Sequence, residues 1–173
     1  SALAFSFTPL LGPTRGGTRV TIDGTFSDMQ ISTFCRFGDL PVVVNFLTTP
    51  RTGTRIECTS PAMQEGVSSF SLTSNDQNFL DGGWSYEHVR WPRLTALTPN
   101  QGPALGGTRT MVSGGEFSAR ASFLNYLFCR FNTTAVSATY VSHLELLCIS
   151  PGRGEGPVAV EMTMNVQQYT DSG

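Results

Sequence analysis

The chain contains no lysine and only two histidines, and just 14% of its 173 residues carry charge. Its 11 arginines are scattered, and the formal net charge is −2, so no basic stripe is available to a phosphate backbone. Nucleic acid is thereby excluded as a default partner. Long hydrophobic runs are also missing. The longest, around Val42-Val43-Val44 and from Leu144 to Ile149, fall far short of the ~20 residues a membrane helix needs, so this stretch is expected to make no membrane contact. Low charge does not imply disorder here, because 39% of the residues are hydrophobic. The 18 glycines and 10 prolines follow no triplet period, which excludes a collagen-like chain. An initiator methionine and a signal-type start are absent, so the sequence reads as a piece of a longer protein whose anchor or address lies elsewhere. Neither His88 nor His143 neighbours a nucleophile motif, no carboxylate pair recurs at acid–base spacing, and there is no Cys-x-x-Cys. No catalytic residue, cofactor or metal site is expected.

What the sequence does have is a repeat. The run from Thr8 and Pro9 through Gly12-Pro13 to Gly16-Gly17-Thr18-Arg19 recurs from Thr98 and Pro99 through Gly102-Pro103 to Gly106-Gly107-Thr108-Arg109, an offset of 90 residues. The offset is again 90 from Gly24 to Gly114 and from Cys58 to Cys148, but 94 from Cys35 to Cys129. One loop is therefore about four residues longer in the second copy and another about four shorter, as loops tolerate. Cys35-Arg36-Phe37 pairs with Cys129-Arg130-Phe131, Cys58-Thr59-Ser60-Pro61 with Cys148-Ile149-Ser150-Pro151, and Asn75 to Phe79 with Asn165 to Tyr169. The first copy continues with Trp84 to Val89, for which the second has no counterpart. This implies that the second copy lacks its last strand and that the native protein goes on.

Each copy alternates with period two. Val20 and Ile22, Cys35 and Phe37, Ile56 and Cys58, and Phe70 and Leu72 share one parity, as do Val158, Val160, Met162 and Met164. Gly and Pro punctuate the intervals, and no helical rhythm with caps stands out. About seven short strands in roughly 90 residues suit an immunoglobulin-like sandwich. The fold class is thus all-β: two tandem sandwiches, 1–91 and 92–173. The joint is short, Arg90-Trp91-Pro92-Arg93-Leu94, and its proline restricts the backbone. A stiff connection with Trp91 near the joint is expected.

Four ordered blocks occur twice: Pro9 to Thr18 and Pro99 to Thr108, Gly24 to Phe26 and Gly114 to Phe117, Cys35 to Phe37 and Cys129 to Phe131, Cys58 to Pro61 and Cys148 to Pro151. This combination resembles the IPT/TIG domain, an immunoglobulin-like sandwich of the E-set type. Such domains occur in plexins, hepatocyte-growth-factor-type receptors and fibrocystin-like arrays, and a cysteine-poor form occurs in some transcription factors. The cysteine-bearing pattern is similar to the cell-surface branch. The resemblance implies a non-enzymatic stalk or protein-binding pair from a larger cell-surface or secreted protein, acting in adhesion, receptor–ligand contact or surface-filament assembly. Partners would be proteins, including other copies or neighbouring repeats. The alternatives are an intracellular transcription-factor-type dimerisation region and an accessory sandwich of a carbohydrate-active enzyme.

With that family form, one matched cysteine pair per copy implies the disulfides Cys35–Cys58 and Cys129–Cys148, against the alternative of four reduced buried thiols. Asn132-Thr133-Thr134 is the one N-glycosylation sequon, and Asn132 stands where the first copy has Gly38, so that turn is expected to differ. The Gly-Gly-Thr-Arg segments lead into strands and lack a lysine, which argues against a phosphate loop. Arg19, Arg109, Arg36 and Arg130 are either a ladder for an acidic partner or intramolecularly paired. Asn75, Asp76 and Asn78 form an ordinary turn rather than a calcium loop. A binding surface is expected where the copies differ, at the unequal loops 27–33 and 118–128. The aromatic run containing Phe123, Tyr126 and Phe128 is the candidate, with a self-packed strand edge as its alternative.

Overall fold

The period-two segments form strands in a computed structural model that describes residues 6–24, 34–46, 55–73, 77–80 and 82–171. The chain divides into two units, Ser1–Val89 and Arg90–Gly173. In the first, the strands are β1 (Ser6–Thr8), β2 (Leu11–Pro13), β3 (Arg19–Asp23), β4 (Phe34–Phe37), β5 (Leu40–Val43), β6 (Asn45–Phe46), β7 (Arg55–Thr59), β8 (Gly66–Thr73), β9 (Phe79–Leu80) and β10 (Ser85–Val89). One sheet has the order β1-β3-β7-β6 and the other β2-β10-β8-β4-β5, with β9 on β8. Between β1 and β2 the chain passes from one sheet to the other at Pro9, whose peptide bond is cis.

The expected parity is observed. Val20, Ile22, Cys35, Phe37, Ile56, Cys58, Phe70 and Leu72 are all buried between the two sheets, joined by Phe7 and Tyr86. Aromatic rings dominate this core. Phe37 meets Phe70 at 5.0 Å and Tyr86 at 5.1 Å, both edge-on, and Phe7 lies 4.3 Å from Phe70. Such tilted pairs each add about 0.5–1.5 kcal/mol beyond the area they bury.

The second unit contains β11 (Arg93–Thr98), β12 (Arg109–Gly115), α1 (Ala119–Phe123), β13 (Phe128–Phe131), β14 (Thr134–Ser142), β15 (Glu145–Ile149) and β16 (Val160–Thr163). Their order is β11-β12-β15-β14-β13-β16. Strand β14 pairs with β13 through Thr134 to Ser137 and with β15 from Ala138 onward, so one long strand serves both halves of the sandwich. In the first unit the same path is split into β5 and β6. Val112, Phe117, Leu127, Phe131, Leu146, Val160, Met162 and Met164 fill the core. Val158, expected to face inward, is only half-buried. Among the described residues the second unit has no counterpart of β10, and 101–103, the counterpart of β2, forms no strand.

The repeated Gly-Gly-Thr and Ser-Pro blocks clasp each other. Gly17 N–H donates to the Ser60 carbonyl at 2.9 Å, Ser60 N–H to the Thr18 carbonyl at 2.8 Å, and Thr18 N–H to Ser60 Oγ at 3.1 Å. Gly107, Thr108 and Ser150 repeat all three bonds at 2.8, 2.9 and 3.1 Å. The glycines are required for different reasons. A Cβ on Gly106 (φ +79) would lie 2.4 Å from the Gly152 nitrogen and 2.5 Å from the Pro151 carbonyl carbon, whereas one on Gly107 (φ +82) would meet nothing. Gly107→Ala is therefore expected to cost only the left-handed backbone penalty, about 1–2 kcal/mol. Gly106→Ala should cost measurably more, because backbone atoms cannot move aside. Urea unfolding of the two variants checks this, and equal losses would contradict the close approach.

Candidate functional site

The four cysteines are paired as expected. Cys35 on β4 is bonded to Cys58 on β7, and Cys129 on β13 to Cys148 on β15, each with a Cα–Cα distance of 6.3 Å, and no described cysteine is free. Both bridges tie the two halves of a sandwich across its core. With sequence separations of 23 and 19, each is worth about 3 kcal/mol in the chain-entropy model.

Two of the four repeated arginines, Arg36 and Arg130, serve their own modules. Arg130 Nε donates to Glu161 Oε2 at 2.8 Å, opposite it on β16, and its guanidinium lies 3.8 Å from the Tyr169 ring centre. Arg36 stacks on the equivalent ring, Phe79, at 4.6 Å, and sits 3.5 Å from Asp39. Each of these two arginines thus pins the following β-return to its sheet through a cation–π contact. Arg19 and Arg109 occupy exposed strand positions. The turn at Asn165 is closed by its own side chain, whose Oδ1 accepts from Gln167 N–H at 3.1 Å and Gln168 N–H at 3.0 Å, a turn device. Asn75 and Asp76 of the first copy lie outside the described residues, as does the loop 27–33.

Segment 118–128 differs from the self-packed strand edge expected as its alternative: it begins with a short helix, Ala119–Phe123. Ser118 caps α1, its Oγ accepting from Ala121 N–H at 3.2 Å, and Leu124 N–H closes the turn on the Arg120 carbonyl at 3.0 Å. The cap and the run Ala119-Arg120-Ala121, free of Gly and Pro, account for it; five residues are too few to show a periodicity. Ala121 and Leu127 anchor the segment in the core. Of the three aromatic candidates, Phe123 is 87% exposed, whereas Tyr126 and Phe128 are half-buried, Phe128 being held on β13 opposite Ser137 and Thr163.

Asn132 is exposed and left-handed at φ 53, matching Gly38 at φ 57. Its N–H donates to the Ala159 carbonyl at 2.9 Å, as Gly38 N–H does to Ser69 at 2.8 Å. Its Oδ1 also accepts from Ala159 N–H at 2.9 Å. The two turns are therefore alike, contrary to expectation, because asparagine tolerates this conformation better than other non-glycine residues.

His88 is the functional-type side chain that sequence reading left without a role. It is 1% exposed, between Phe37 at 6.3 Å and Tyr86 at 4.9 Å. Nε2 lies 3.1 Å from the Pro61 carbonyl, which places the proton on Nε2, and Nδ1 has no partner among the described residues. Burial pushes its pKa below the ordinary 6.5, opposed by the Pro61 hydrogen bond. The only signal in sequence was parity with Tyr86 on one strand. His143 is exposed, and no group of three or more metal-ligating side chains occurs among the described residues.

Because the folded pKa of His88 is depressed, its stabilising contribution is present above about pH 6.5 and is lost as pH falls through the folded value, at up to about 1.4 kcal/mol per pH unit. An NMR titration should place the His88 imidazole midpoint below 6.5, and His88→Gln should flatten the decline in urea stability between pH 7.5 and 5.5. A midpoint at or above 6.5, or parallel declines, would contradict the buried neutral ring.

The family model described as IPT/TIG domain matches residues 5–87 and again 92–173. Plexin A3 of Danio rerio is 28% identical over 181 residues, covering 94% of this chain and 9% of that protein. Plexin-A2 of Homo sapiens is 28% identical over 175 residues, covering 93% and 9%. The chain thus spans a small fraction of these curated relatives. Among solved structures, the Plexin A4 full extracellular region superposes with a TM-score of 0.58 at 20% identity, covering 95% of this chain and 15% of that one, a likeness of fold. Two matched halves, each with the clasped Gly-Gly-Thr turn and a core disulfide, lead to one conclusion: the chain belongs to the IPT/TIG family, as a tandem pair.

Proposed function

We propose that this chain is a non-enzymatic extracellular module pair, residues 1–91 and 92–173, of a larger cell-surface or secreted protein, serving as stalk and protein-binding surface. The observation that carries the reading is a disulfide across the core of each unit, since such bonds persist in oxidising compartments and are rare in the cytosol. Similarity to plexins supports the same placement. Binding is assigned to what differs between the modules, because features present in both, such as the stacked arginines, maintain the fold. Phe123 fits that role: a large apolar side chain held in solvent on a capped helical turn that the first module does not share in sequence.

Two outcomes are expected. The labelled pair should bind saturably to the surface of cells from its source, and Phe123→Asp should weaken this at least about tenfold while leaving the urea midpoint unchanged; unaltered binding would remove Phe123 from the surface. Protein secreted from eukaryotic cells should carry one N-glycan at Asn132. Thr134→Ala deletes the sequon while keeping Asn132 and its turn, so the glycan mass should vanish in that variant. An unmodified mass in the parent protein would contradict the assignment.

A further inference from the structure

In the second unit Thr110, Val112, Leu146 and Cys148 are buried, so alternation puts Arg109, Met111 and Ser113 of β12 and Glu145, Leu147 and Ile149 of β15 on the outer face of their sheet. The first unit has the same six positions in the same register. Arg19, Thr21 and Asp23 of β3 stand opposite Thr59, Glu57 and Arg55 of β7, as Arg109, Met111 and Ser113 stand opposite Ile149, Leu147 and Glu145. Every one of the six is offset by 90 residues.

The chemistry of this face differs between the units. In the first it is polar throughout, and Arg55 Nε donates to Asp23 Oδ1 at 2.7 Å. In the second, Thr21, Glu57 and Thr59 give way to Met111, Leu147 and Ile149. These three are neighbours, Met111 directly opposite Leu147 and Ile149 next on the same face of β15. Ile149 is 53% exposed, and Met111 and Leu147 are half-buried. Single apolar side chains are ordinary on a surface, but here three adjoin at positions where the same strands of the first unit carry threonine and glutamate, so folding does not require them. The ion pair is dismantled as well, with Ser113 for Asp23 and Glu145 for Arg55. Arg109 therefore stands at one end of the apolar group and Glu145 at the other, and neither has an ion-pair partner among the described residues.

We propose that this outer face is a contact between two copies of the chain, packed sheet on sheet about a two-fold axis. Charge selects the direction of that axis. An axis along the strands would set Arg109 beside Arg109 of the second copy, and Glu145 beside its Glu145. An axis across the strands sets Arg109 beside Glu145 of the second copy, twice, and lays Met111 and Leu147 over their own equivalents at the centre. The face spans about 19 Å by about 17 Å, from four strands about 4.8 Å apart and five residues rising about 3.4 Å each. That is below the roughly 800 Å² per partner of a standard interface, so the dimer is weak and forms where copies are concentrated. The inference concerns a different element from the one bearing Phe123 and does not depend on whether the protein is extracellular.

Sedimentation equilibrium of the oxidised 173-residue protein, from about 10 µM to about 1 mM, tests it. A monomer–dimer equilibrium is expected, with Kd on the order of 100 µM. Leu147→Glu installs the residue of the first unit and should weaken the dimer at least about tenfold with no change in urea midpoint. The combination Met111→Thr, Leu147→Glu and Ile149→Thr, which reproduces a face that the first unit folds with, should do the same. Arg109→Glu sets like charges side by side and should weaken the dimer roughly three- to tenfold, and adding Glu145→Arg should restore it. Phe123→Asp should leave the dimer intact, which separates this contact from binding at Phe123. A protein that stays monomeric at the highest concentration, a dimer that survives the triple substitution, or Arg109→Glu dimers as tight as the parent's would overturn the proposal.

Discussion

The clasp between the Gly-Gly-Thr turn and the serine that follows the second cysteine is the constraint from which the rest of each module follows. Gly16 and Gly106 press against the backbone of the Ser-Pro segment closely enough to exclude any side chain. The three bonds around Ser60, and again around Ser150, then fix where the next strand begins relative to its neighbour. That register sets Val20 beside Cys58 and Thr110 beside Cys148. Once these strands are in register, alternation decides which residues face inward, and the second cysteine arrives opposite the first across the core. A one-residue slip would turn every one of those side chains to solvent. The disulfide crosslinks the same geometry that the clasp holds.

Much of this was legible because the repeat supplied two readings of one pattern. Parity assigned the buried faces of β3, β4, β7 and β8, and the family form of the cysteine pairs gave both bridges. What escaped had physical reasons. α1 is one capped turn whose stability comes from Ala121 and Leu127 in the core rather than from periodicity. Strand β14 changes partner from β13 to β15 between Ser137 and Ala138, a handover that alternation alone does not reveal. His88 belongs to no motif in the sequence, yet the Pro61 carbonyl and the flanking rings make it a core residue.

The two modules also separate what maintains the fold from what is free to vary. Where a position is chemically required, the copies agree or substitute within the requirement: Asn132 for Gly38 at a left-handed turn, Tyr169 for Phe79 beneath an arginine. Where no such requirement acts, they diverge, as in the segment bearing Phe123.

We propose an oxidising, extracellular setting for these disulfide-locked sandwiches. The most direct test is the intact mass of the protein recovered from its native source under rapid thiol alkylation, compared before and after reduction. Both bridges should be closed, so that no alkyl group adds until reduction exposes four thiols. Four alkylated cysteines before reduction would contradict the extracellular account.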